Sequence, residues 1–156
     1  MTVHRQTIKV QEEDFDLNVE LQRMRAASDG IGAIASFVGI VRDINDEREV
    51  STMTLEHYPA MTQRALQQIA DEACNRWEII DITIIHRFGT LRPSDQIVTV
   101  AVASGHRRDA FAACEFVMDY LKTKAPFWKK ETIGDHSRWV EARAMDDAAA
   151  KRWEKV

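Results

Sequence analysis

The run from Ile31 to Arg42 constrains the fold of this chain more than any other stretch. It reads IGAIASFVGIVR, with β-branched residues at several positions and two glycines. The run is too rich in glycine for a helix, and continuous apolarity is typical of a strand buried on both faces. We therefore expect a central strand here. Gly39 within it indicates a bulge or a close backbone approach.

Cap and breaker residues divide the rest of the chain into segments of strand or helix periodicity. Asp14 or Asp16 can cap a first helix, Pro59 suits the first position of a second, and Pro126 ends a third. The order β-α-β-β-α-β-β-α-β-β-α predicts a single α+β domain of residues 1–156, with helices packed on a mainly antiparallel sheet. The predicted strands lie at 3–10, 31–42, 50–58, 79–88, 96–103, 127–133 and 138–142, and the helices lie before Gly30, at 59–77, between 109 and 126, and at 146–155.

The same pattern specifies a hairpin and a buried helix face. The strands at 79–88 and 96–103 are expected to pair around a turn at 89–94. The third helix is expected to have one apolar face, formed by Phe111, Cys114, Val117, Met118 and Leu121.

The composition is that of an ordinary folded protein with an acidic bias. The 156 residues are 45% hydrophobic and 29% charged, and a net charge of −4 with a pI near 5.7 argues against general nucleic-acid binding. Cys74 and Cys114 lie on apolar stripes and are expected to be buried free thiols. No signal peptide is apparent and no apolar run is long enough for a membrane span, so we expect a cytoplasmic protein.

Four lysines fall within nine residues, 122 to 130, with no acidic residue among them. Pro126 ends the third helix inside this stretch, so Lys122 lies at a helix end and Lys129 on the extended segment beyond it. Lys122 borders the apolar stripe, where partial burial would suit it to acid–base or nucleophilic chemistry. The alternative is a lysine that extends from a helix C-terminus into solvent. Lys124 and Lys130 fit that solvated interpretation better.

Other cations also follow apolar segments. Arg42 ends the run described first, and Ser104-Gly105-His106-Arg107 precedes the third helix. Free N–H groups at a helix N-terminus favour an anion, so His106 and Arg107 would reinforce a phosphate site there. Taken singly, each of these cations is better explained as a solvated terminus, whereas their occurrence together is less ordinary.

The sequence lacks the residue patterns on which metal sites and serine hydrolases depend. The sequence has no His-x-x-x-His or Cys-x-x-Cys spacing and no Gly-x-Ser-x-Gly elbow, which argues against metal and serine-hydrolase chemistry. Glu56 and His57 are neighbours on a strand and therefore point to opposite faces. His86 is interpreted, like Arg42, as the end of a strand.

Five blocks of this sequence stand out together: Phe37–Arg42, Leu55–Met61, Ile85–Gly89, Ser104–Arg107 and Met118–Glu131. In the same order, they resemble signature blocks of the catalytic (large) subunit of molybdopterin synthase. The resemblance extends from about residue 30 to Trp153, and its last block is long and specific.

The resemblance implies an α/β-hammerhead-like fold and a homodimer within a heterotetramer. Each chain would bind a small ubiquitin-like sulfur-carrier subunit, whose C-terminal Gly-Gly thiocarboxylate enters a pocket of this chain. The substrate would be cyclic pyranopterin monophosphate, which two sulfur transfers convert to the dithiolene molybdopterin. The resemblance implies no metal or organic cofactor, no membrane and no nucleic acid.

The resemblance also assigns roles to the cations described above. Lys122 and Lys129 would be the catalytic lysines, with Lys129 steered by Glu131, which lies on the same side of its strand. The implied substrate-binding residues are Arg42, His106, Arg107, Lys130, Glu131 and Arg143, the last contributed by the dimer partner.

Composition alone leaves two other classes open. A non-catalytic module that docks a ubiquitin-like protein or a nucleotide would explain the basic stretch equally well. A phosphate-binding structural dimer would do the same. The specific blocks favour the enzyme.

Overall fold

The computed structural model describes residues 4–42, 44–45, 48–49, 52–133, 136–140 and 144–155. Its alternation of strands and helices confirms the predicted α+β class. A 3₁₀ turn at Arg152–Lys155 follows the last helix. The elements are β1 (Arg5–Gln11), α1 (Leu17–Ala27), β2 (Ala33–Ile40), β3 (Ile44–Asn45), β4 (Arg48–Glu49), β5 (Thr52–His57), α2 (Pro59–Arg76), β6 (Asp81–Arg87), β7 (Gly89–Leu91), β8 (Gln96–Ser104), α3 (Arg107–Lys124), β9 (Phe127–Ile133), β10 (His136–Val140) and α4 (Ala144–Lys151).

β6 and β8 form the centre of the main sheet, whose strand order is β1-β6-β8-β2. β8 is antiparallel to both β6 and β2, and β1 joins the far side of β6 in parallel. The predicted hairpin of β6 and β8 is thus confirmed. Every residue from Val98 to Ser104 is buried, as expected for a strand with neighbours on both edges and both faces.

β2 lies at an edge of this sheet, so the prediction of a central strand buried on both faces is wrong. Ala35 is buried, but Phe37 is 39% and Ile40 is 50% exposed. An apolar strand needs other elements packed on its two faces, but it does not need a paired strand on both of its edges. Here α1 and α3 cover parts of the two faces of β2. The predicted bulge is confirmed, because the register shifts between Gly39 and Ile40.

A second sheet, in the order β10-β9-β5-β7, carries the basic stretch on β9. A turn was predicted at 89–94, but residues 89–91 form β7 and pair with β5. Gly89 has a φ of 89°, a conformation that favours glycine, and it redirects the chain from one sheet to the other. Between β2 and β5, the short strands β3 and β4 pair antiparallel with each other.

α2 and α3 pack on one face of the main sheet, and α1 packs on the other. Cys114, Val117 and Leu121 of α3 are buried as predicted, whereas Phe111 is 67% exposed, so the predicted apolar face is wrong at that position. The buried stripe instead starts at Ala110, whose small side chain lets the start of the helix approach the sheet closely.

The C-terminal segment fastens onto the outer side of α3. The indole N–H of Trp153 donates to the Asp119 carboxylate at 2.6 Å, and the Trp153 carbonyl accepts from the Arg76 guanidinium at 2.8 Å. The Trp153 ring also meets Trp77 and Phe116 edge-on. α3 is therefore held between the sheet and the chain terminus.

Two glycines meet where β8 leads into α3. A Cβ atom on Gly32 would lie 2.3 Å from the Gly105 carbonyl oxygen, which no side chain tolerates. The Gly32 N–H donates to the Ser104 carbonyl at 2.9 Å and fixes this approach. A Cβ atom on Gly105 would meet its nearest neighbour, the Gly30 carbonyl oxygen, at an ordinary 3.6 Å.

A ring stack joins the two sheets at the C-terminal end of β6. The His86 ring lies 3.7 Å from the Phe127 ring at an interplanar angle of 14°. Burial lowers the pKa of His86 to about 4, and the nearby positive charge of Lys122 acts in the same direction. His86 is therefore neutral near pH 7.

We expect the stability of the protein to fall as pH drops from 6.5 to 4. The unfolded chain takes up a proton on His86 in this range, whereas the folded chain does not, so a contribution of about 3 kcal/mol present above pH 6.5 is lost towards pH 4. Chemical denaturation across this range should show a shallower pH dependence for His86→Phe than for the wild type. His106→Gln, which removes an exposed histidine, is the control. Identical slopes in the wild type and His86→Phe would contradict the prediction.

We expect Gly32→Ala to destabilise the fold by about 1–3 kcal/mol, because the new Cβ atom would push the Gly105 backbone away. Gly105→Ala is the matched control and should change the free energy of unfolding by less than about 0.5 kcal/mol. Urea denaturation measures both. Equal losses in the two variants would rule out the close approach as the cause.

Candidate active site

Lys122 lies in the last turn of α3, and its side chain is exposed. Of the two interpretations of Lys122, its exposure fits a lysine that extends from a helix C-terminus into solvent, because the apolar stripe ends at Leu121. The helix ends as predicted before Pro126, with Ala125 already extended. The Phe127 N–H then donates back to the Ala125 carbonyl at 2.9 Å, so the chain turns sharply into β9.

β9 presents different residues on its two faces. Lys129 pairs with Leu55 and Glu131 with Met53, both of which are buried, so Lys129 and Glu131 share the inner face as predicted. Glu131 is only 2% exposed. Lys130 lies on the outer face, where its ammonium group is 5.7 Å from the centre of the Trp139 ring. Lys130 therefore lies on the opposite face of β9 from Lys129 and Glu131.

The two lysine-bearing elements meet at His86. The ammonium group of Lys122 is close enough to help lower the pKa of His86, and the first residue of β9, Phe127, stacks on the same ring. Phe127 lies on the inner face of β9, two residues before Lys129. The helix-end lysine and the strand lysine therefore approach one corner of the molecule.

Arg42 belongs to this corner as well. It is exposed and lies just beyond β2, whose last residue, Ile40, pairs with Gln96 at the start of β8. His86 pairs with Val98, close to the same end of β8. Arg42 and His86 therefore lie at the same end of the main sheet, where β8 begins.

His106 and Arg107 lie at the opposite end of the sheet. They follow Ser104, the last residue of β8, and the two ends of that strand are about 26 Å apart. Along α3, Arg107 and Lys122 are separated by about 22 Å. A single chain therefore does not bring Arg42, His106 and Arg107 together, contrary to the expectation of one phosphate pocket. Arg143 lies outside the described residues.

The N-terminus of α3 follows directly from a hydrogen-bonded junction at the end of β8. His106 is the N-cap residue in an extended conformation, and its side chain makes no capping hydrogen bond. The Ser104 hydroxyl donates to the Glu78 carbonyl at 2.7 Å and accepts from the His106 N–H at 3.3 Å. His106 and Arg107 are both exposed, so they extend from a rigid junction towards solvent.

Aromatic residues form a shallow pocket on the outer face of the second sheet. Its volume is about 270 Å³, and it lies on the side of β9 opposite Lys129. The Tyr58 and Trp128 rings meet edge-on at 4.8 Å. The lining residues are Glu56, His57, Tyr58, Trp128 and Trp139.

The sequence interpretation did not include His86 and His57 among the site residues, although both rings lie near Phe127. His86 was interpreted, like Arg42, as the end of a strand. It is the last residue but one of β6 and, unlike Arg42, it is buried. The apolar run Ile82–Ile85 just before it is the signal that could have indicated burial. Its partner Phe127 is distant in sequence, so no local pattern predicts the stack.

Neither a metal cluster nor a membrane span is found in the described part of the chain. No group of three or more His, Cys, Asp or Glu side chains there could hold a metal ion. No helix among these residues has the length and apolarity needed to cross a membrane.

Comparison with known proteins identifies the family. A family model described as MoaE protein matches residues 10–124. A molybdopterin synthase catalytic subunit from Ralstonia nicotianae is 62% identical over 147 residues, covering 94% of this chain and 84% of the relative.

Two solved structures share the fold. The molybdopterin biosynthesis MoaE protein from Burkholderia ambifaria has a TM-score of 0.82 at 58% identity, covering 96% of this chain and 99% of its own. A complex of subunits 1 and 2 of molybdopterin-converting factor from Helicobacter pylori matches in fold, with a TM-score of 0.71 at 20% identity and coverage of 88% and 91%. The chain therefore belongs to the MoaE protein family, that of the molybdopterin synthase catalytic subunits.

Proposed function

We propose that this chain transfers sulfur from the C-terminal thiocarboxylate of a small carrier subunit to cyclic pyranopterin monophosphate, forming the dithiolene of molybdopterin. The observation that carries the proposal is the approach of Lys122 and the Lys129 strand to one corner at His86. Arg42 lies at the same end of the main sheet. Thiocarboxylate and phosphate are both anions, so cations are needed to hold them side by side.

The two lysines have separate tasks in this proposal. The thiocarboxylate sulfur attacks an oxygen-bearing carbon of the pterin side chain. As the C–S bond forms, the C–O bond of that carbon breaks, and the oxygen leaves as water or stays on the phosphate whose ester ring opens. Carrier and substrate are then joined by a thioester. Water then cleaves the thioester, which leaves sulfur on the pterin and an ordinary carboxylate on the carrier. Lys122 polarises the carrier carbonyl or moves a proton, and Lys129 acts beside it under the influence of the buried Glu131. A second round with a fresh carrier supplies the second sulfur.

A second copy of the chain completes the phosphate site in this proposal. His106 and Arg107 lie at the end of β8 opposite Arg42, so one chain cannot offer all three cations to one ligand. A two-fold axis near the middle of β2 would reverse a second chain and bring its His106 end to the Arg42 end of the first. The exposed Phe37 and Ile40 on the free edge of β2, with Phe111 nearby on α3, support this side as the dimer surface.

The carrier is the other proposed partner. The Helicobacter pylori protein of the same fold is solved as a complex of two different subunits of molybdopterin-converting factor. We infer the same type of small partner for this chain, so that two carriers and two catalytic chains form a heterotetramer. A purely binding module would retain the carrier but form no product, so turnover separates the enzyme from that alternative.

We expect Lys122→Ala to abolish sulfur transfer while leaving the carrier complex intact, because Lys122 is exposed and supports no core contact. The assay combines thiocarboxylated carrier with the cyclic pterin and follows the oxidised product by fluorescence, while gel filtration reports the complex. Lys124→Ala, two residues further along and also exposed, is the control and should retain activity. Full activity in Lys122→Ala would remove its catalytic assignment.

We expect complementation between two inactive variants if the site spans two chains. Lys122→Ala and Arg107→Ala chains, co-expressed with different tags and purified through both, give mixed dimers with one intact site of two. These dimers should show about half of wild-type activity, whereas each variant alone shows almost none. A site built within one chain would leave the mixed dimers inactive.

A further inference from the structure

The His86 ring stacks on Phe127, the first residue of β9, and lies close enough to Lys122 of α3 for the charge of that lysine to act on it. We propose that His86 is a positioning residue for sulfur transfer: it holds Phe127 and thereby fixes the start of β9, on which Lys129 lies, relative to the end of α3. This role rests on the proposed function, since it concerns how the two lysines are presented to the thiocarboxylate.

The His86 ring is itself fixed on two sides. A carbonyl oxygen can only accept, so the His86 Nδ1–H donates to the Arg87 carbonyl, at 2.8 Å. The backbone of β6 is paired with β1 on one edge and β8 on the other, and β6 is buried from Asp81 to His86. The ring therefore projects in a defined orientation from a buried strand that is paired on both edges.

Phe127 lies flat on this ring at the point where the chain changes direction. The centroid distance is 3.7 Å and the interplanar angle 14°, a close stacked contact. Phe127 is the first residue of β9 and follows the turn at Pro126. Movement of Phe127 would carry Lys129 with it, because the two residues are on the same face of one strand, two positions apart.

His57 supports Phe127 from the second sheet. His57 is the β-bridge partner of Phe127, its ring is 5.6 Å from the Phe127 ring, and it packs on Phe88 at 4.5 Å. The His57 Nδ1 atom is 3.2 Å from the Thr62 hydroxyl of α2. Phe127 is thus contacted from both sheets. The contact with His86 fixes the position of Phe127 relative to the main sheet.

The charges around His86 explain why a neutral ring suits this place. Lys122 faces it from α3 and His57 from β5, and both disfavour a proton on His86. The contact with Phe127 needs only a flat ring, so phenylalanine is expected to replace histidine in the stack. Alanine removes the ring and leaves Phe127 without its support.

The test compares His86→Ala and His86→Phe in the complete complex with thiocarboxylated carrier and the cyclic pterin. His86→Ala should lower kcat by about 10-fold to 100-fold with the KM values little changed, because misplacement of a catalytic group affects the chemical step. His86→Phe should restore most of kcat. Ile82→Ala, a buried residue of the same strand remote from the corner, is the control for loss of packing and should leave kcat within about twofold of the wild type at temperatures where it stays folded.

Hydrogen exchange of the peptide covering residues 125–131 provides a readout independent of activity. His86→Ala should speed exchange in this peptide by about tenfold or more relative to the wild type, and Ile82→Ala should not. If His86→Ala does not fold, Phe127→Leu removes the ring from the other side of the contact and should give the same two effects.

The outcomes separate the two proposals. Absence of product with the wild-type complex would defeat the proposed function, whereas the exchange data would still decide whether His86 holds β9. If His86→Ala and Ile82→Ala had the same kcat and the same exchange rate in residues 125–131, the positioning role would be overturned. Loss of activity in His86→Phe equal to that in His86→Ala would also overturn it, since the stack would then not be the cause.

Discussion

The antiparallel pairing of β8 with β6 and β2 determines where the charged groups of this chain lie. β8 delivers His106 and Arg107 to one end of the main sheet, and α3 returns along the sheet to deliver Lys122 to the other. Arg42 and His86 reach that second end through β2 and β6. The cations are therefore divided into two groups by the directions of β2, β8 and α3, and a ligand that needs both groups requires two chains.

The corner at His86 combines rigidity with exposure. Lys122 extends into solvent from the last turn of a helix, while Lys129 lies half-buried on the inner face of β9 beside the buried Glu131. A neutral histidine between them adds packing without a further positive charge. Such an arrangement leaves one cation free to follow an incoming thiocarboxylate while the other is held by the fold, consistent with the separate tasks we propose for the two lysines.

Local signals predicted the parts of the structure that depend on neighbouring residues. The helix end before Pro126, the start of α2 at Pro59 and the bulge at Gly39 all follow from backbone restrictions of single residues. Alternation along β9 also predicted that Lys129 and Glu131 share a face. These features need no knowledge of what packs against them.

Features that depend on distant segments escaped prediction. The edge position of β2 and the exposure of Phe111 follow from which strands pair and how closely α3 approaches the sheet. The separation of Arg42 from His106 follows from the direction of β8, and the stacking of His86 depends on Phe127, which belongs to another sheet. Composition and periodicity describe a segment and its faces, but they do not specify its neighbours.

The parallel pairing of β1 with β6 has a consequence for how the chain acquires its fold. Arg5 pairs with Asp81 and Gln11 with Arg87, so the first strand meets its partner only after all the elements from α1 to α2 have been synthesised. During synthesis β1 leaves the ribosome early and remains without its sheet until β6 appears. Closing so long a loop is entropically slow, so β1 is expected to join late, onto a β6–β8 hairpin whose contacts are local.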